Sequence, residues 1–166
     1  MDAIVCRPGE GEVLFDEPRR TLRVLVDRAE LTLTWFRYGP GEQGPDPHVH
    51  RRHSDAFYIL EGELEVGLGP GAAETVRARA GTFAAAPPEL VHTFRNASDG
   101  TAIFLNVHAP SMGFGDMLRA RRDGREEDLL VSTSSSRRPT AVARSPTRSS
   151  RRPTKPTGSP AATASS

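Results

Sequence analysis

The sequence predicts a single all-β domain closed by one short helix and followed by a structureless basic tail. Two observations predict the domain. Short segments of alternating apolar and polar residues recur along residues 12–109, as half-buried strands do. Gly- and Pro-rich turns break them at roughly 8–12-residue spacing, the rhythm of a sandwich or barrel. A third observation predicts the tail: from about Ser132 the chain is Ser, Thr, Pro, Arg and Ala, with no aromatic residue and Val142 as its only β-branched aliphatic. Such a segment buries too little apolar surface to offset its ordering entropy. The domain is therefore assigned to residues 1–131 and the tail to residues 132–166.

The elements follow in order. Thr21–Val26 and Leu31–Trp35 alternate and read as strands. Tyr38-Gly39-Pro40-Gly41 stops the second, and Gly44-Pro45-Asp46-Pro47 extends the loop. Phe57–Leu60 and Leu64–Leu68 flank Glu61-Gly62-Glu63, which reads as a tight hairpin with Gly62 at positive φ. Gly69-Pro70-Gly71 is a further turn. Thr75–Arg77, Thr82–Ala84, Val91–Phe94 and Thr101–Val107 complete the strands. Gly115–Arg122 reads as the helix, with Asp116 near its start and Gly124 past its end.

At 166 residues the chain suits one domain with a real core. A single cysteine, Cys6, excludes an internal disulfide framework and fits a reducing cytoplasm. No signal segment and no membrane-length apolar run is expected. The net charge of +1 hides an asymmetry. Seven basic and no acidic residues follow Ser132, which leaves 15 basic against 21 acidic groups before it. An acidic domain argues against nucleic acid as its partner, and only the tail could serve as a basic arm.

The chemistry lies in two segments. The first, Gly44-Pro45-Asp46-Pro47-His48-Val49-His50, continues through His53 and Asp55 to Gly62; the second runs from Gly81 through Pro87, Glu89 and His92 to Asn96. On an extended segment residues i and i+2 share a face, so His48 and His50 point together, as ligands to a divalent transition metal would. Inward alternation from Asp55 and His92 selects Phe57, Ile59 and Phe94, either to line an apolar cavity for a small-molecule substrate or simply to fill a narrow barrel. Trp35, Phe36, Arg37 and Tyr38 run toward the mouth, where Arg37 or Tyr38 could orient an anionic or phenolic group. His108, before Ala109-Pro110, reads as structural, and Asn96 as the start of a turn.

These segments resemble the paired motifs of the cupin superfamily, in particular its small, single-domain, quercetinase-like members. His48, His50 and Gly62 match the first motif, with its opening glycine displaced to Gly41; Gly81, Pro87, His92 and Asn96 match the second. The match covers about residues 30–110. It implies a jelly-roll barrel, a divalent ion (Fe, Mn, Ni, Cu or Zn) on His48, His50, Asp55 and His92, and a homodimer. Two departures stand out. Asp55 replaces the family's ligand glutamate, and Glu89 replaces the second motif's inner glycine. The shorter Asp55 ligates after a small shift, binds through water, or orients a histidine, and His53 offers a different fourth ligand. The resemblance implies an oxidoreductase of dioxygenase type, with Asp55 taking a substrate proton and Glu89 a weaker candidate for that role. The alternatives are an isomerase or lyase using the metal as a Lewis acid, and a non-catalytic binding protein with a structural metal.

Overall fold

The structure, a computed structural model, describes residues 3–125. The expected tail, 132–166, and the last residues assigned to the domain lie outside the described residues. Nine strands are described: β1 (Glu12–Asp16), β2 (Arg20–Asp27), β3 (Thr32–Tyr38), β4 (Ser54–Glu61), β5 (Glu63–Leu68), β6 (Glu74–Arg79), β7 (Phe83–Ala86), β8 (His92–Arg95) and β9 (Ala102–Ala109). One helix, α1 (Phe114–Arg122), follows them. Two antiparallel sheets form the jelly-roll barrel, one ordered β1-β2-β3-β9-β4-β7 and the other β6-β5-β8.

Alternation within the strands builds the interior. β3 buries Thr32, Thr34, Phe36 and Tyr38, and β9 buries Ala102, Phe104, Asn106 and His108. Phe57 and Ile59 of β4, Leu64 and Val66 of β5 and Phe94 of β8 meet them from both sheets. Phe36 stacks on Phe104 with ring centroids 5.1 Å apart, Tyr38 meets Phe104 edge-on at 5.3 Å, and Phe57 lies 4.9 Å from Phe94. Each large side chain so buried contributes about 1.5–3 kcal/mol, so this aromatic cluster anchors the two sheets to each other.

Two local expectations are corrected. β4 and β5 are not a hairpin: β4 pairs with β7 and β9, whereas β5 pairs with β6 and β8. At Gly62 (φ 72°) the chain instead steps from one sheet to the other, and a Cβ there would collide with the Thr101 carbonyl oxygen. The second correction is β1, an edge strand that the sequence reading did not assign. It is held by β2 and by Arg119 of α1, whose guanidinium pairs with Glu12 at 2.7 Å and with Asp27 at 2.6 Å.

Candidate metal centre

The loop between β3 and β4 carries the first two histidines past the start of β8. His48 and His92 exchange both backbone hydrogen bonds, His48 N–H to the His92 carbonyl at 3.0 Å and the reverse at 2.9 Å. The Glu89 N–H donates to the His50 carbonyl at 2.8 Å. The two motif segments are therefore fastened main chain to main chain, with the His48 and His50 rings 4.8 Å apart on one side. Closing this turn puts Glu89 at φ 69°, the left-handed region that glycine adopts without strain. The family's glycine at that position thus has a backbone reason. Glu89 is exposed and takes no part in the centre.

Donor atoms of His48, His50, Asp55 and His92 all lie within 4.8 Å of one another. The Asp55 Oδ2 is 3.1 Å from His92 Nε2 and 3.8 Å from His50 Nε2. Two ligands each about 2.1 Å from one ion stand roughly 3.0 Å apart at a right angle and about 3.4 Å apart at the tetrahedral angle. The spacing is thus close to that of ligands around a single cation. His48 Nδ1 donates to the Asp46 carbonyl at 2.9 Å and His92 Nδ1 to the Leu90 carbonyl at 3.0 Å. These bonds fix the rings and leave Nε2 as the coordinating atom. The buried Nε2 of His50 has no hydrogen-bond partner. The donor set and that orphaned nitrogen fit a divalent transition ion.

Electrostatics agree. Burial alone would raise the Asp55 carboxyl, but the imidazole of His50, hydrogen bonding from His92 and electrostatic attraction to the His108 and His92 rings hold it well below the usual carboxylate range. Burial opposes charge on His92 too, yet Asp55 and the Leu90 carbonyl raise it above the ordinary histidine value. Without a metal, the two are hydrogen-bonded at 3.1 Å, and the carboxylate favours the protonated imidazole. Burial lowers His48, pushes His53 down to about 4 and pushes His108 down to about 3, leaving neutral imidazoles at physiological pH.

Two residues that the sequence reading did not assign to the centre belong to it. Asn106 Nδ2 donates to Asp55 Oδ1 and to the Ala56 carbonyl, the latter at 3.2 Å, so it orients the carboxylate. His108, read as structural, has its Nε2 3.5 Å from Asp55 Oδ2 and its ring stacked on Phe114 of α1 at 3.3 Å. His53, which the sequence offers as a different fourth ligand, is half-buried and stacks on His50 at 4.1 Å. All five histidines of the chain therefore gather here.

A cavity of about 540 Å³ opens onto the centre and is lined by His48, His50, Asp55 and His108 on one side and by Tyr38 and Phe94 on another. Residues of α1, including Phe114 and Met117, also line it. Phe94 lines the cavity, whereas Phe57 and Ile59 do not. Both face inward but sit fully buried in the core beyond the cavity. Tyr38 faces in, and burial pushes its phenol up to about 12, so it stays a hydrogen-bond donor. Arg37 faces away, donating to the carbonyls of Glu17 and Pro18 and to Thr21. Asn96 is fully buried and ties the end of β3 to the following turn, through the carbonyls of Tyr38, Gly39 and Gly100.

Residues 34–108 match the family described as Cupin domain. Germin-like protein subfamily 2 member 2 of Arabidopsis thaliana is 36% identical over 114 residues, 65% of this chain and 52% of its own length. The chain spans about half or less of the curated relatives it matches. Among solved structures, KdgF from Halomonas sp. superposes with a TM-score of 0.57 at 20% identity, covering 66% of this chain and 94% of that one. TT1209 from Thermus thermophilus does so with a TM-score of 0.51 at 29% identity, covering 57% and 88%. With the barrel and its paired histidine segments, these matches show a cupin fold, in which residues 34–108 carry the likeness to the Cupin domain family.

Proposed function

We propose that this cupin-fold protein is a metal-dependent enzyme of dioxygenase type that acts on a small organic substrate held inside the barrel. One observation carries the reading: of the four converging donors, His48, His50 and Asp55 line a cavity large enough for a small molecule, with His92 buried beside them, so the set is not a closed knot of protein. When bound, a redox-active divalent ion supplies Lewis acidity and electrons for oxygen chemistry. The chain's own residues do the rest. Phe94 and Phe114 present apolar faces to the substrate, and the Tyr38 hydroxyl donates to an acidic substrate oxygen. Asn106 holds Oδ1 of Asp55 and leaves Oδ2 toward the histidines. Of the two roles expected of Asp55, its depressed pKa favours ligation over proton transfer, because a general base works best near the operating pH.

The test is elemental analysis of protein purified without a chelating tag, beside a His48→Ala/His92→Ala double variant, followed by oxygen uptake with small chelating phenols and diketones. Fe, Mn, Ni or Cu at one ion or more per chain, depleted in the variant, with oxygen consumption, is the expected result. Metal with substrate turnover but no oxygen uptake moves the assignment to a Lewis-acid isomerase or lyase. Metal with neither leaves a binding protein. No metal even after reconstitution overturns all three.

A homodimer is part of the same reading. Tyr58 and Phe83 stand opposite each other on β4 and β7 and remain 42% and 64% exposed, an apolar outer patch at the sheet edge suited to a second copy. Light scattering of the full chain distinguishes dimer from monomer.

A further inference from the structure

Beside the four-donor set lies a second convergence. One ring nitrogen from each of His50, His53 and His108 comes within 4.8 Å of the other two. The rings of His53 and His108 are 5.1 Å apart, and those of His50 and His108 are 5.2 Å apart. Each of the three carries a buried nitrogen with no hydrogen-bond partner: Nε2 of His50, Nε2 of His53 and Nδ1 of His108. His108 is only 1% exposed, and Phe114 covers its ring face. Buried polar atoms in native proteins nearly always find partners, and three orphaned imidazoles side by side are costly unless something electropositive serves them.

We propose that His50, His53 and His108 seat a second divalent cation, so that when both ions are bound His50 passes from the four-donor set to the second ion and the first is held by His48, His92 and Asp55. The six donors divide evenly into three imidazoles on one side and two imidazoles with a carboxylate on the other. Asp55 stands between the two positions, its Oδ2 3.1 Å from His92 Nε2 and 3.5 Å from His108 Nε2. The donor sets differ in kind. An all-imidazole site suits Zn, Cu, Fe or Ni, whereas a site containing a carboxylate also accepts Mn. The two positions are therefore chemically distinct and can carry different metals.

Elemental analysis of metal-stripped, full-length protein after dialysis against excess Zn²⁺ tests this. A Cys6→Ser background removes the chain's one exposed thiol. Every histidine lies in the cluster, so no surface imidazole adds background. The parent should bind two ions per chain, and His53→Gln and His108→Gln should each bind one. His92→Gln should also bind one, and circular dichroism reports whether each variant is folded. His53 is half-buried at the end of a loop, so its variant separates ligand loss from misfolding even where His108→Gln does not fold. One ion in the parent that persists in His53→Gln overturns the second site, as do two ions persisting in His53→Gln. One ion lost in His53→Gln but kept in His92→Gln upholds the three-imidazole site and overturns the four-donor reading instead.

Discussion

The two ends of the barrel interior are built from the same strands to opposite purposes. At one end β4, β8 and β9 turn Asp55, His92 and His108 inward; further along, the same inward rows hold Phe57, Ile59, Phe94 and Phe104. Strand alternation decides which positions face in, and residue type decides whether an inward position becomes core or chemistry. The aromatic end is packed ring against ring. The histidine end leaves ring nitrogens unpartnered. Stability should therefore reside in one end and metal affinity in the other.

The largest effect should come from breaking the aromatic end. Phe57→Ala empties a fully buried position between the sheets and should cost about 3–5 kcal/mol in urea unfolding, with metal content per folded chain unchanged. A comparable loss of metal would show that the ends are coupled. At the other end, Asn106→Ala frees the Asp55 carboxylate to turn. It should lower metal affinity about 10–100-fold, measured by competition with a chromophoric chelator, with a smaller change in stability.

Acid should attack only the histidine end. In metal-free protein the folded pKa values of His48, His53 and His108 lie below the unfolded value, about 6.5. The unfolded chain then takes up protons first, so stability is intact above about pH 6.5 and falls as pH drops toward about 4. His92 is shifted the other way. Its contribution is complete below about 6.5 and is lost as pH rises through its raised value, so it does not offset the acid loss. The contribution of Asp55 is present above its unfolded value, about 3.8, and lost only below it. Thermal melts should therefore show Tm declining between about pH 6.5 and 4, and the decline should shrink in a His53→Gln variant. Smallest of all, Glu89→Gly relieves a left-handed residue in the turn joining the two motif segments. It should raise stability by about 0.5–1 kcal/mol after the entropy of the added glycine.

Much of this was legible in the sequence, for reasons that mark where legibility stops. His48, His50 and His92 announce themselves because their spacing is local and their residue type is rare. Asn106 and His108 do not, since their relation to Asp55 arises from the pairing of β4 with β9, which sets Asp55 opposite His108. Only pairing between strands distant in sequence reveals it. The Glu61-Gly62-Glu63 turn misleads for the same reason: a glycine at positive φ serves a hairpin and a step between sheets equally well. Phe57 and Ile59 point inward as alternation predicts, but their distance along β4 carries them past the cavity into the core. β1 escapes because five residues with one buried position give too short a pattern to read.

The paired backbone bonds between His48 and His92 reach beyond this one centre. They hold two ligand-bearing segments in register through atoms that every non-proline residue possesses, so the frame does not depend on which side chains it displays. Such a frame tolerates drift in its donors. A glutamate can shorten to aspartate, and a neighbouring strand can add an imidazole, without the scaffold being rebuilt. In this chain both features are present. Metal preference is thereby open to change by single substitutions, while the fold itself stays constant.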